Sequence, residues 1–359
     1  MAGPDLDRRA TLVAAGALAT PAVRAAEEGI AGRFEALRAA GRLPGLHGVV
    51  AFHRGAPVFE RYLSGADEAR GRSLGEVAFG PETPHDLRSV TKSVLGLLYG
   101  IALAEGLVPP PEAPLLAQFP DCADLAADPL RARWTVRHAL SMTLGTAWDE
   151  SAPYTSTANS EIAMDAAPDP WRFVLDRPLV AEPGTRWIYC GGATALLGQL
   201  IVRGAGRPLP DYARARLFDP LGLGPTDWAL MREGVHSAAS GLRMTPRDLA
   251  RIGLMVLAGG AWEGRQVVPA AWLAESFAPA IVMEDGRRYG YHWYMGRLPR
   301  EGDGFDRWSG AIGNGGQRLF LLPDRALVVA VTAGNYNHPE QWRPPLAVLR
   351  EAILPALPA

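Results

Sequence analysis

The sequence predicts an α+β fold: one antiparallel sheet built from both chain ends and flanked by helices, plus a mostly helical lobe from the middle of the chain. Three observations carry this reading. Short runs rich in apolar and β-branched residues occur in hairpin-like pairs near the beginning and near the end. Between them the apolar positions recur at helical spacing, separated by Pro- and Gly-rich connections. No internal repeat, low-complexity tract or loose linker splits the 359 residues into independent units.

The elements follow in chain order. Asp7-Arg8-Arg9-Ala10-Thr11-Leu12, an apolar run reaching Val23, and Val23-Arg24-Ala25 supply the parts of a twin-arginine export signal over 1–25. This points to a periplasmic or secreted protein, with a frayed helix of a cytoplasmic protein as the alternative. The run is too short to form a stable membrane span. Residues 29–41 then read as an amphipathic helix with Ile30, Phe34 and Leu37 on one face, and 47–53 and 58–62 as strands joined by an Arg54-Gly55 turn. Residues 89–105 follow a Pro84-His85-Asp86 turn and form a buried helix ended by Gly106. Further helices are expected over 135–142, 192–202, 209–217, 245–258 and 269–276. A second hairpin pairs 317–322 with 326–331 around Pro323-Asp324-Arg325. The sheet lobe therefore comprises 26–85 and 285–359, and the helical lobe 86–284.

Composition narrows the function. With 48% hydrophobic residues, 21% charged residues and a formal net charge of -2, the chain has no basic field to hold a phosphate backbone. Nucleic acid is thereby disfavoured, and small neutral or mildly polar substrates fit better. Cys122 and Cys190 are too few for a disulfide framework or a zinc site, although one disulfide is conceivable in an exported protein. Seven histidines lie scattered without metal-ligand spacing, so no metal is expected and no cofactor is implied.

The chain carries 35 arginines and one lysine, Lys92, three residues after Ser89 at the start of the buried helix. Residues three apart share a helix face, which brings hydroxyl and amine within reach. The helix N-terminus adds unpaired N–H groups and partial positive charge, both suited to an oxyanion. A serine hydroxyl needs a base. Lysine serves if burial lowers its pKa from ~10.4 towards neutrality, whereas arginine, above ~12, does not deprotonate. The bland alternative, Ser89 as a helix cap and Lys92 reaching to solvent, leaves the unique lysine unexplained. Gly71-Arg72-Ser73-Leu74-Gly75 also satisfies Gly-x-Ser-x-Gly, but polar residues precede it and Gly80-Pro81 soon follows, so it reads as a surface turn.

Beside Ser89-Val90-Thr91-Lys92, the segments Thr135–Thr143, Met244–Arg251 and Tyr289-Gly290-Tyr291-His292-Trp293 resemble the scaffold of the serine β-lactamase-related superfamily. The branch it resembles is class C-like, with penicillin-binding-protein-like esterases, D-amino-acid peptidases and 6-aminohexanoate-oligomer hydrolases. The resemblance implies a β-lactamase/transpeptidase-like fold. Its Tyr-x-Asn motif matches Tyr189-Cys190-Gly191, which implies that Tyr189 shares protons with Lys92. Gly191 replaces the motif's Asn and removes an amide that contacts lactam substrates. The Lys/His-Thr-Gly motif matches Asn314-Gly315-Gly316, or Gly313-Asn314-Gly315 one residue earlier. Glycines there admit substrate close to the strand. The N–H groups of Gln317 and Ser89 are then implied as the oxyanion hole. The motif's cation is missing unless Arg318 or another arginine is recruited.

The resemblance thus implies a serine hydrolase that cleaves a small ester or amide through a Ser89 acyl-enzyme, with Lys92 and Tyr189 as the base pair. Two alternatives stand beside it: a penicillin-recognising β-lactamase or D,D-peptidase, and a non-catalytic ligand sensor on the same fold. Trp148, Tyr154, Trp187, Tyr291 and Trp293 are candidates to line the cleft. Oligomeric state is not indicated.

Overall fold

Leu46–His53 and Leu327–Ala333 are apolar almost throughout, the pattern of strands covered on both faces. They pair antiparallel, with Val49 opposite Val331, and so join the two chain ends at the centre of the fold. The computed structural model describes residues 21–232, 234–300 and 304–358. Most of the expected export segment, residues 1–20 of 1–25, lies outside the described residues.

The central sheet has eight strands in the order Ile281–Val282, Arg288–Tyr289, Tyr294–Pro299, Phe305–Gly313, Gln317–Leu322, Leu327–Ala333, Leu46–His53 and Ala56–Tyr62. The first hairpin turns through Arg54 and Gly55, both at positive φ (52° and 79°), the geometry that matches strand twist in two-residue loops. The second turns through Pro323–Arg325 and closes on Ala326 at φ 46°. Sequence patterning does not reveal the outer strands, because two of them are only two residues long. The sheet consequently begins at Ile281, inside the segment expected to be helical.

One face of the sheet is covered by the helix Pro21–Ala39 and the C-terminal helical turns, with Ile30, Phe34, Val348 and Ile353 buried against Val49, Phe59 and Val331. The other face carries the helices Val90–Ala104 and Pro246–Leu257. Gly253 allows that second approach, since a Cβ there would stand 2.6 Å from Val328 Cγ1. Val90–Ala104 is buried on almost every side and packs on Gly191–Ala205, which explains its uniformly apolar sequence.

The expected helices form as Val136–Leu140, Gly191–Ala205, Leu209–Ala213, Pro246–Leu257 and Ala270–Ser276. The expected run 209–217 is not a single α-helix: Leu209–Ala213 passes into a wider π-helical turn at Arg214–Phe218. Pro84-His85-Asp86 is not a turn; His85 and Asp86 pair as a short strand with Met244 and Arg243. Ser73 lies exposed, as expected, but on the strand Arg72–Ala78, just past the Arg70-Gly71 turn of the hairpin with Ser64–Ala69. Both cysteines are free and buried, so the conceivable disulfide is not formed. Among the described residues, no helix is long and apolar enough to cross a membrane.

Candidate active site

The turn into the buried helix is held from behind. Arg88 adopts a left-handed backbone (φ 48°), a conformation that costs a non-glycine residue about 1–3 kcal/mol and persists where the surroundings impose it. Its N–H donates to Asp86 Oδ1 at 2.9 Å, and its guanidinium lies between the rings of Tyr154 and Tyr336, 4.6 and 4.5 Å from their centroids. Ser89 follows at the cap position of Val90–Ala104, half-buried, with no side-chain capping bond. Among the described residues its backbone N–H donates to no protein acceptor.

Lys92 lies one turn on, 2% exposed, and its Nζ donates to Ser89 Oγ at 3.1 Å and to the Ala239 carbonyl at 2.9 Å. Tyr189 comes from the segment entering Gly191–Ala205. Its ring centroid is 4.8 Å from Lys92 Nζ, and the Ser89 side chain is among the groups that act on its phenol. The three side chains expected to act together are therefore brought together.

Two groups were not foreseen. Glu150 Oε2 and Glu161 Oε2 stand 3.9 and 3.8 Å from Lys92 Nζ. Neither belongs to a recognisable motif, and the only trace of them in the sequence is the missing side chain at Gly191. A Cβ on Gly191 would lie 2.6 Å from Glu150 Oε1 and 3.0 Å from Glu161 Oε2. The carboxylates occupy the room an Asn would need.

These carboxylates correct one expectation about Lys92. Burial does push its pKa down, but Glu150 and Glu161 outweigh burial and hold it above the ordinary value. The resting side chain is an ammonium. Burial, aided by Glu161 and opposed by Lys92, lifts Glu150 to about 7. Glu161 is buried too, yet Lys92 and Arg70 carry it below the usual carboxylate range. Burial and the nearby Glu150 keep the Tyr189 phenol neutral, well above its ordinary range.

The third segment forms the hairpin turn beside the serine. Gly313 is the point of contact, since a Cβ on it would collide with the Leu87 carbonyl. Asn314 bonds Asn337 through its side chain at 2.8 Å, while Gly315 and Gly316 pack on Tyr336 and Gln341 at positive φ. Gln317 is fully buried and paired opposite Gly313, and its amide clamps the backbone of Ala333. Arg318 is buried, donates through Nη1 to the Gly313 and Gln317 carbonyls, and is pushed down to about 10 by burial. Of the aromatic candidates, Trp187 packs on Tyr189, while Trp148 and Tyr154 bind Glu150 and Glu161. Tyr291 and Trp293 belong to the core against Trp272 and Phe277.

His47, Asp67 and His85 place donor atoms within 4.8 Å of one another. Those atoms already serve one another and the fold. His47 Nδ1 meets His85 Nε2 at 2.9 Å, His85 Nδ1 meets the Asp86 carbonyl, and Asp67 accepts from Arg243 at 2.8 Å and Tyr336 at 3.0 Å. Burial, followed by His85, lowers His47 to about 4, and burial lowers His85 as well. Because the folded pKa values are depressed, the unfolded chain takes up protons first as pH falls. The stability is present above pH ~6.5 and is lost on acidification towards about 4. Calorimetry should show Tm falling across that window, with a shallower slope in His47→Gln; an unchanged slope would refute the assignment.

A family model described as Beta-lactamase matches residues 30–351. The chain belongs to the Beta-lactamase family. It is 28% identical over 215 residues to a 6-aminohexanoate-dimer hydrolase of Paenarthrobacter ureafaciens, covering 56% of this chain and 52% of that protein. Over 150 residues it is 27% identical to a lovastatin esterase of Penicillium rubens, covering 41% of this chain and 37% of the esterase. The alignments thus span about half or less of either relative. Among solved structures, EstCE1, described as a hydrolase with promiscuous acyltransferase activity, superposes with a TM-score of 0.70 at 16% identity, covering 93% of this chain and 100% of that one. The fold is that of the Beta-lactamase family, as the resemblance carried by Ser89-Val90-Thr91-Lys92 and its companion segments implied.

Proposed function

We propose that this Beta-lactamase family member is a serine hydrolase that cleaves a small carboxylic ester or amide through an acyl-enzyme on Ser89. The observation that carries the reading is the 3.1 Å contact between Lys92 Nζ and Ser89 Oγ at the N-terminus of a buried helix, with the Tyr189 ring 4.8 Å from the same Nζ. Ser89 Oγ attacks the carbonyl while its proton passes to the Lys92/Tyr189 pair, and the leaving group receives a proton from that pair. Water then attacks the acyl-enzyme with the same pair as base. The unpartnered Ser89 N–H supplies one oxyanion donor, and the backbone of the Gly313–Gln317 turn supplies the other.

The relatives named as a 6-aminohexanoate-dimer hydrolase and a lovastatin esterase support this class of substrate. Lactam recognition is disfavoured because Gly191 carries no amide and the Gly313–Gly316 segment has no Lys or His where the motif has its cation. The test is a panel of short-chain p-nitrophenyl esters, 6-aminohexanoate dimer, D-amino-acid amides and nitrocefin, run with a fluorophosphonate probe and mapping of the labelled peptide. Ester or amide turnover with the label on Ser89 is expected. Turnover of nitrocefin alone, with a long-lived acyl-enzyme, would replace the reading by a penicillin-recognising one. An unlabelled protein that turns over nothing would be a ligand sensor.

A further inference from the structure

We propose that Glu150 is the proton-holding partner of Lys92, seated in the space that Gly191 leaves open, so that the free amine rather than the ammonium faces Ser89 during attack. The inference rests on the Ser89 acyl-enzyme reading and adds to it a residue outside the Ser89, Lys92 and Tyr189 set. Glu150 acts through Lys92 and is a positioning residue.

The two carboxylates beside Lys92 are not equivalent. Glu161 is wholly buried and committed: Arg70 reaches Oε1 at 3.3 Å, Ser240 donates to the same oxygen, and Tyr154 donates to Oε2 at 3.3 Å. With a guanidinium as partner, it remains ionised. Glu150 has no arginine. Its Oε1 accepts from Trp148 Nε1 and from the Gly191 N–H, each at 2.6 Å, which fixes the carboxylate and leaves Oε2 directed at Lys92 Nζ, 3.9 Å away. At 3.9 Å the two groups form an ion pair rather than a hydrogen bond, and the proton transfers when they close to hydrogen-bond range. Lys92 and Glu161 act electrostatically on this carboxylate, and Arg70, Tyr154, Tyr189, Cys190, His292, Tyr294, Arg287 and Arg318 interact with it or with its neighbours. Of two like charges flanking one ammonium, the one lacking a second cation is the one that accepts a proton.

The step balances without a co-reactant. An N–H bond of the Lys92 ammonium breaks as an O–H bond forms on Glu150. The Lys92 lone pair then takes the Ser89 hydroxyl proton while Oγ bonds the acyl carbon, and the carbonyl π pair moves to the oxyanion. The proton on Lys92 passes to the leaving group as the tetrahedral carbon collapses, and Glu150 returns its proton to Lys92. The sequence requires Glu150 to be ionised at the outset. Activity therefore rises with pH through the Glu150 titration, near 7.

The experiment compares kcat and KM from pH 5.5 to 10 in wild type, Glu150→Gln and Glu150→Asp, using the best ester of the panel. Wild type should show an acid limb near pH 7. Glu150→Gln should lose about 10–100-fold in kcat at neutral pH with KM little changed, and should regain activity as rising pH deprotonates Lys92 directly. Glu150→Asp should keep the limb near its wild-type position. A purely structural role predicts a uniform loss at every pH, and that result, or a wild-type profile in Glu150→Gln, overturns the inference. Should Glu150→Gln not fold, infrared titration of wild type carrying carboxyl-labelled glutamate decides: a buried protonated carboxyl band must vanish near pH 7, and its absence overturns the proposal. Ser89→Ala separates the two levels. If that variant is inactive while Glu150→Gln keeps the wild-type profile, only the role of Glu150 fails; if Ser89→Ala still turns over ester, the acyl-enzyme reading fails.

Discussion

Ser89→Ala should lower kcat by about 10⁴–10⁶-fold and abolish fluorophosphonate labelling, because it removes the only atom that forms the acyl bond while leaving the oxyanion donors in place. Stability should hardly change. Ser89 caps its helix by position alone, with no side-chain bond to the first turn, so the usual cost of losing a cap, about 1 kcal/mol, does not apply. The deleted hydroxyl leaves Lys92 Nζ with the Ala239 carbonyl and two carboxylates as partners. The checks are initial rates on the best panel substrate and a thermal melt of the same preparation. Retained labelling would move the nucleophile elsewhere, and Ser73, exposed on its hairpin, is the serine to map next.

Lys92→Arg is the second large effect, and it tests the one lysine directly. The charge is conserved, so the ion pairs to Glu150 and Glu161 survive, and the protein should still fold. The larger side chain at a 2% exposed position costs about 1–3 kcal/mol in overpacking. Turnover should nonetheless fall by about 10³-fold or more, since a guanidinium neither accepts the Ser89 proton nor yields its own to Glu150. Alkaline pH should not restore it, in contrast to Glu150→Gln. Initial rates from pH 6 to 10 beside a thermal melt provide the measurement. Near-normal activity in a folded Lys92→Arg protein would show that the lone lysine is an accident of composition.

How much of this site is legible in one dimension depends on spacing. Ser89 and Lys92 are three residues apart on one helix, so their contact follows from helix geometry alone. Tyr189 is legible only through a motif, since nothing local brings residue 189 to residue 89. Glu150 and Glu161 carry no motif and no periodicity; one lies in a loop and the other in the first turn of Ser160–Ala166. The empty side-chain position at Gly191 is their complement, and it is informative only once the carboxylates are seen filling it.

The same division runs through the whole molecule. Local pattern determined the two hairpins at the chain ends, the buried helix behind Ser89 and the exposed turn beside Ser73, because strand alternation, left-handed turn residues and helical spacing act over a few residues. Long-range packing decided the order of the eight strands, the two-residue outer strands starting at Ile281, the pairing of His85 and Asp86 with Met244 and Arg243, and the protonation state of Lys92. Burial by itself lowers the pKa of a lysine, and that much follows from an apolar helix. Its actual direction depends on two carboxylates brought within 4 Å from positions 58 and 69 residues away along the chain, a sum of opposing charges that only the folded structure specifies.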